Sequence, residues 1–439
     1  MIIRYPLLAA LLSLLAGCAT TPPAPAGDVL AIINANVIDG TGAEPAAGRT
    51  LLVRGGRIVR MGTAAEVRVP PGARVLDARG AYAIPGLWDM HVHALWDTTV
   101  AERFLPAFVA HGVTGIRDMG GSLEVLRHAR GRIAAGGLAG PRIVAAGPVL
   151  DGPEPVDPSI SLRVSTPDEA RAAVDSLARG GADFVKVYTL MSPDLFLAAA
   201  ARARERGMPV AGHVPGEVDP RAAARVGMRT MEHMRAELGG FCTRATQAAC
   251  DSIIPVLREH GVWQTPTLLP RWFRAHMDSV DLSDPRLAAL PAVVRDYWLA
   301  EHAQNLGRRS AEDWARLRRE HDEERWLAGY LQRSGLPLLA GSDAGVPFSH
   351  PGSGLHQELA MLVDAGLTPM QALQAATRNA AQALAADSLG TLEVGRVADV
   401  VLLAANPLDD IRNTRRVVVV VLGGRMLDRA ALDAMMMRP

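Results

Sequence analysis

Lysine is nearly absent from this chain. Of its 46 basic residues, Lys186 alone is a lysine, and every other one is an arginine. Arginine serves wherever a fixed surface cation is enough, because a guanidinium keeps its charge. An amine can lose its proton and react. A lysine retained in the apolar run Asp183-Phe184-Val185-Lys186-Val187-Tyr188 is therefore a candidate for chemistry, with a core ion pair as the alternative. An excess of one charge is missing too. The 46 acids balance the 46 bases, so nucleic-acid binding has no electrostatic support. Cysteine is scarce, at 3, and no Cys-x-x-Cys spacing occurs, which argues against a structural zinc site. What remains is ordinary for a globular protein: 439 residues, 49% hydrophobic and 21% charged, enough for one large domain and a smaller one.

The N-terminus reads as a targeting segment. Arg4 precedes an apolar run from Tyr5 to Leu15, too short to span a bilayer permanently. The run ends Leu15-Ala16-Gly17-Cys18, which resembles the bacterial lipoprotein signal, in which the cysteine thiol is lipidated. Residues 1–18 are then a signal peptide, and 19–27, rich in Pro and Ala, a flexible tether. No Asp follows Cys18, so the resemblance implies an outer-membrane anchor, facing the periplasm or the cell exterior. Cys242 and Cys250 remain, and in an oxidising compartment the pair is expected to form a disulfide.

Short β-rich pieces occupy both ends of the rest. Residues 28–84 and 389–439 each carry Val- and Ile-rich runs punctuated by Gly and Asn, which predicts one small β-sandwich built from both termini. Between them, residues 85–388 alternate apolar strands with Ala/Arg/Leu-rich amphipathic runs. Strands are expected at 86–93, 113–118, 142–146, 184–188, 209–213, 230–233, 262–267 and 338–343. Strand-helix units in this number fit an α/β fold of the (β/α)8 TIM-barrel type. An open doubly wound sheet would carry a Gly-rich phosphate turn after its first strand, and none is present. The stretch 268–336 is too long for a simple connection and reads as an insertion that covers or shapes a site.

Chemistry-bearing residues fall at the expected strand ends. Strand one finishes Asp89-Met90-His91-Val92-His93, and residues two apart share a strand face, so both imidazoles can meet one ion. His213, His233 and Asp343 close strands five, six and eight, and Lys186 lies near the end of strand four. In a barrel these ends converge on the active-site face.

The ordered set His-x-His, Lys, His, His, Asp resembles the amidohydrolase superfamily of metal-dependent hydrolases. Ile84-Pro85-Gly86-Leu87-Trp88-Asp89-Met90-His91-Val92-His93, Arg117-Asp118-Met119-Gly120 and Val185-Lys186-Val187-Tyr188 resemble its branch of imidazolonepropionase-like proteins and bacterial Xaa-Pro dipeptidases. So do the runs 367–373 and 392–401. The likeness covers nearly everything after the tether except the insertion.

The resemblance implies two divalent metal ions, with zinc the default. His91, His93 and Asp343 would hold one and His213 and His233 the other. Lys186, converted by CO2 to a carbamate, would bridge them. It further implies attack by a metal-bridging hydroxide on an amide carbonyl, with Asp343 as proton shuttle and a small-molecule amide or a dipeptide, of Xaa-Pro or related type, as substrate. Hydrolysis of cyclic amides, lactones or N-acyl amino acids is the alternative, and a non-catalytic binding lipoprotein is a third. Tyr188, on the same strand face as Lys186, is a candidate substrate contact or a core tyrosine. His356, soon after the Asp343 loop, is a candidate substrate contact or a surface histidine at a helix start. Arg117 and Asp118 are expected to pair with each other.

Overall fold

The computed structural model describes residues 29–234 and 242–436. The expected signal peptide, the tether and Cys18 lie outside them. The first five strands are β1 (Val29–Val37), β2 (Ala46–Arg54), β3 (Arg57–Thr63), β4 (Arg74–Asp77) and β5 (Tyr82–Pro85). The middle contributes β6 (Leu87–Val92), β7 (Val113–Asp118), β8 (Arg142–Ala145), β9 (Val149–Asp151), β10 (Ser161–Arg163), β11 (Val185–Val187), β12 (Val210–Gly212), β13 (Met228–Glu232) and β14 (Trp263–Thr265). The C-terminal strands are β15 (Val400–Leu403), β16 (Val417–Leu422) and β17 (Arg425–Leu427).

Both termini share one eight-stranded sheet, ordered β17-β16-β15-β5-β1-β2-β3 with β4 beside β1. The junction is β5 against β15, antiparallel, with Ile84 opposite Val401. Two Gly-Gly hairpin tips explain how closely the ends fit. Gly55 and Gly56 turn β2 into β3, and Gly423 and Gly424 turn β16 into β17, all four at positive φ. A Cβ on Gly56 would lie 2.9 Å from the Gly423 carbonyl oxygen and one on Gly424 2.8 Å from Gly56 Cα, so the tips touch because these two positions are glycine. One apolar cluster, including Ile32, Leu51, Ile58, Val400 and Val419, draws on both ends of the chain.

The middle strands are parallel. β6, β7 and β8 form one ladder, and β10-β9-β11-β12-β13-β14 another. The Asp183 amide donates to the Ala145 carbonyl at 2.8 Å, joining β8 to the chain entering β11. The eighth expected strand, 338–343, is not a ladder, which corrects the sequence reading. It makes single bridges, Gln264 to Leu338 and Val92 to Ala344. Its backbone bonds alternate between neighbours: Leu339 N donates to Gln264 O at 2.8 Å, and Asp343 N to His91 O at 2.7 Å. The run is divided between β14 and β6, and Asp343 ends it by turning to φ 53°. β9 and β10 were not anticipated, being only three residues each.

Helices Pro167–Gly180, Pro193–Glu205 and Pro220–Arg225 each start on proline, whose fixed φ and missing N–H suit the first helical position. The insertion folds mainly as helices Leu268–Ala275, Ala292–Arg308 and Ala311–Arg333. The last opens with a reciprocal cap between Ser310 and Asp313. Buried Trp298 docks the second of these helices by donating its indole N–H to the Gly345 carbonyl at 3.0 Å. Cys242 and Cys250 form a disulfide. Among the described residues no helix is long and apolar enough to cross a membrane.

Candidate active site

Strand alternation puts His91 and His93 on one face of the chain at the end of β6, their ring centroids 5.5 Å apart. Asp343 comes to both. Its Oδ1 lies 3.5 Å from His91 Nε2 and 3.4 Å from His93 Nε2. His233, just beyond β13, brings Nε2 to 4.0 Å from Asp343 Oδ2 and its ring to 4.5 Å from that of His91. The His213 ring lies 5.0 Å from that of His233. His91, His93 and Asp343 offer ligand atoms all within 4.8 Å of one another, a set that could hold a metal ion.

Each imidazole is oriented through its other nitrogen. His91 Nδ1 meets Glu232 Oε2 at 2.9 Å, and His93 Nδ1 meets the Gly120 carbonyl at 3.1 Å. His213 Nδ1 meets Thr189 Oγ1 at 2.8 Å, and His233 Nδ1 meets Thr267 Oγ1 at 2.5 Å. Such partners fix the ring so that Nε2 faces inward. Burial pushes His91, His213 and His233 well below the usual imidazole range. The rings are thus neutral, as metal donation requires. His91 Nε2 and Asp343 Oδ1 are buried and lack a hydrogen-bond partner among the described residues. Two such atoms 3.5 Å apart, one a carboxylate oxygen and one an imidazole nitrogen, are a donor set that a divalent cation satisfies.

Lys186 is buried on β11, 1% exposed, with Nζ 5.7 Å from the Tyr188 ring centroid. Its charge is the second cause, after burial, of the low pKa of His91 and His213. The neighbouring β12 makes room for its stem. A Cβ on Gly212 would sit 2.8 Å from Lys186 Cδ and 2.3 Å from the Val187 carbonyl oxygen. Tyr188 packs against His213, ring centroids 4.2 Å apart.

Backbone strain collects here. His233, Thr267 and Asp343 adopt left-handed φ of 56°, 48° and 53°, which costs a non-glycine residue about 1–3 kcal/mol. Buried carboxylates brace the backbone before Asp343 and after His93. Asp89, pushed up to about 7 by burial, accepts from Ser342 N at 2.9 Å and Ser342 Oγ at 2.5 Å, fixing the residue before Asp343. Asp118, raised to about 6 by burial, accepts from the Ala94 and Leu95 amides and so holds the turn after His93.

Two sequence readings need correction. His356 is not in the site. It is 1% exposed, its Nδ1 meets Thr414 Oγ1 at 3.0 Å, and its Nε2 meets the His111 carbonyl at 3.0 Å. Both nitrogens are engaged in the packing of the helix Ser353–Asp364, which leaves none for a substrate. Arg117 and Asp118 do not pair, because neighbours on a strand point to opposite faces. Arg117 instead donates to Glu232 Oε1 at 2.8 Å, Thr230 Oγ1 at 2.7 Å and the Met90 carbonyl at 2.7 Å. Glu232 and its Arg117 partner were missed. The one available signal was a glutamate at the end of β13, immediately before His233.

A cavity of about 440 Å³ opens over these groups. Tyr188, His213, His233 and Asp343 line it together with Arg271, Arg274 and Arg309 from the insertion.

Histidines and an aspartate converging from the ends of parallel strands beneath an open cavity define an α/β protein with a candidate metal centre. Residues 82–427 match the amidohydrolase family, and the chain belongs to that family. It is an enzyme acting on carbon–nitrogen bonds. It is 29% identical over 395 residues to the imidazolonepropionase of Symbiobacterium thermophilum, covering 81% of this chain and 84% of that one. It is 23% identical over 390 residues to the ochratoxinase of Aspergillus niger, covering 75% and 71%. A solved Xaa-Pro dipeptidase with methionine bound in its active site superposes with a TM-score of 0.73 at 23% identity, over 91% of this chain and 100% of that one. The last similarity concerns the fold.

Proposed function

We propose that this chain is a two-metal hydrolase of amide bonds, of the dipeptidase type. The observation that carries the reading is the meeting of His91, His93 and Asp343 with His213 and His233 around buried Lys186. His91, His93 and Asp343 would hold one metal and His213 and His233 the second; imidazole and oxygen ligands suit zinc. Lys186, as the carbamate made by adding CO2 at Nζ with loss of one proton, would supply anionic oxygen to the metal site. Arginine cannot undergo that reaction. A bound metal pair polarises a carbonyl and makes water nucleophilic near neutral pH.

The protein groups then divide the remaining work. Asp343 takes the proton of the attacking water and delivers it to the leaving nitrogen. Burial pushes the Tyr188 hydroxyl up, so it stays an O–H donor facing the cavity. It donates to a carbonyl or carboxylate oxygen of the substrate. Glu232 and Arg117 position His91.

The hydrogen bonds from 338–343 to both β14 and β6 support a closed (β/α)8 barrel over 85–388, with the shared terminal sheet as the sandwich domain of 28–84 and 389–439. The Leu15-Ala16-Gly17-Cys18 run supports a lipid anchor at Cys18 and placement at the bacterial envelope, with the outer membrane favoured. The second reading, a hydrolase of cyclic amides or N-acyl amino acids, is favoured by the similarity to an imidazolonepropionase over most of both chains. Family membership sets aside the non-catalytic alternative.

A screen of dipeptides, cyclic amides and N-acyl amino acids with zinc-loaded, bicarbonate-treated protein separates these readings. Cleavage of dipeptides with about two metals bound per chain supports the first. Turnover with a single metal, or turnover restricted to cyclic amides, overturns it.

A further inference from the structure

Three guanidinium groups face the cavity beside the candidate metal centre, and the hydrolytic scheme uses none of them. Arg271, Arg274 and Arg309 line it with His213, His233 and Asp343, and among the described residues Glu301 is the one carboxylate the insertion adds to its lining. All three belong to the insertion, to which the sequence assigned no chemistry.

Their placement is built rather than incidental. Arg271 sits in the helix Leu268–Ala275, which leaves β14 through the strained Thr267. Buried Glu358 grips the start of that helix, accepting from Leu268 N at 3.0 Å and Leu269 N at 2.8 Å. Arg271 itself is 22% exposed, and its contact with Glu324 is long, at 3.8 Å. The Arg309 guanidinium lies 4.8 Å from the Trp314 ring centroid and donates to the Arg274 carbonyl at 3.1 Å. Arg274 lies at the cavity rim, where partial burial and then the charges of Arg271 and Arg309 destabilise its cation. Three like charges held around one opening repel one another, and an anion entering there relieves the repulsion.

We propose that the substrate carries a carboxylate apart from its scissile amide, and that Arg271, backed by Arg274 and Arg309, receives it. The planar guanidinium forks suit a carboxylate, which they can bind through paired N–H donors. The proposal rests on the hydrolase reading for its substrate, but the anion site stands on the geometry alone. Two sources of the carboxylate share this chemistry: the C-terminus of a dipeptide and an acidic side chain.

The test uses the full-length chain and two matched pairs. One pair is a dipeptide and its C-terminal amide; the other is the same dipeptide with Glu or Gln as one residue. The charged member of at least one pair should be favoured about tenfold in kcat/KM, and the pair that shows it identifies the source. In Arg271→Gln that ratio should collapse towards unity, while Arg271→Lys should keep part of it. Equal rates within both pairs, or a ratio that survives in Arg271→Gln, overturn the proposal. A second readout needs no turnover. Metal-stripped protein should bind N-acetylglutamate about tenfold more tightly than its diamide by calorimetry, and Arg271→Gln should lose that preference. If no substrate turns over yet this preference is present, the hydrolase reading fails and the anion site stands. Equal affinities remove the anion site whatever the catalytic result.

Discussion

Glu232 and His91 meet through 141 residues of chain: Oε2 of one lies 2.9 Å from Nδ1 of the other, and both side chains are fully buried. The same carboxylate takes Arg117 Nη2 at 2.8 Å, so a buried ion pair orients a candidate metal ligand.

Replacing Glu232 by Gln should therefore weaken metal binding by about 10–100-fold, the usual cost of removing such a partner. Chelator competition measures it. Leaving Arg117 buried and unpaired should also destabilise the fold, by about 3–5 kcal/mol. The titration belongs at a temperature where circular dichroism shows the variant folded. An unchanged affinity there would deny Glu232 this role.

Lys186→Ala should abolish turnover and lose about one of two metals per chain, read by elemental analysis. Lys186→Arg should fail as badly, because a guanidinium cannot take up CO2. Full activity in Lys186→Arg would show that charge alone sufficed.

Glu358→Ala removes the carboxylate that caps the helix Leu268–Ala275 and strands two buried amides. Denaturant unfolding should show a loss of about 1–3 kcal/mol. Because that helix carries Arg271, cavity-dependent selectivity should fall with it.

His356 supplies a pH test away from the metal centre. Burial lowers its pKa to about 3 in the folded protein, whereas an unfolded histidine titrates near 6.5. As the pH falls below about 6.5 the unfolded chain takes up a proton that the folded chain refuses. Stability from this group is intact above that value and is lost at up to about 1.4 kcal/mol per pH unit as the pH falls towards 3. Unfolding free energies measured between pH 7 and 4 should thus fall less steeply in His356→Gln than in the parent. Parallel slopes would contradict the assignment.

The difference between His91 and His356 shows which readings a sequence supports. His91 and His93 share a face because strand geometry alternates, and that rule needs only the one residue between them. His356 lies close in sequence to Asp343, but its orientation depends on His111 and Thr414, brought in from two distant segments. Arg117 was misread for the same reason: its true partner stands on another strand. The 338–343 run was expected as a full strand because its composition is apolar, yet its hydrogen bonds divide between two neighbours.

Local pattern, then, was enough to mark Lys186, the His-x-His pair, the strand ends and the mixed α/β class. Each follows from side-chain periodicity or from the chemistry of a single residue type. Only the tertiary structure could decide what orients those groups and what surrounds them. Glu232 behind His91, the glycine tips that join the two termini, and three arginines of the insertion beside Asp343 are all contacts across long stretches of chain. No local pattern encodes such pairs, since burial and packing choose them after the chain has folded.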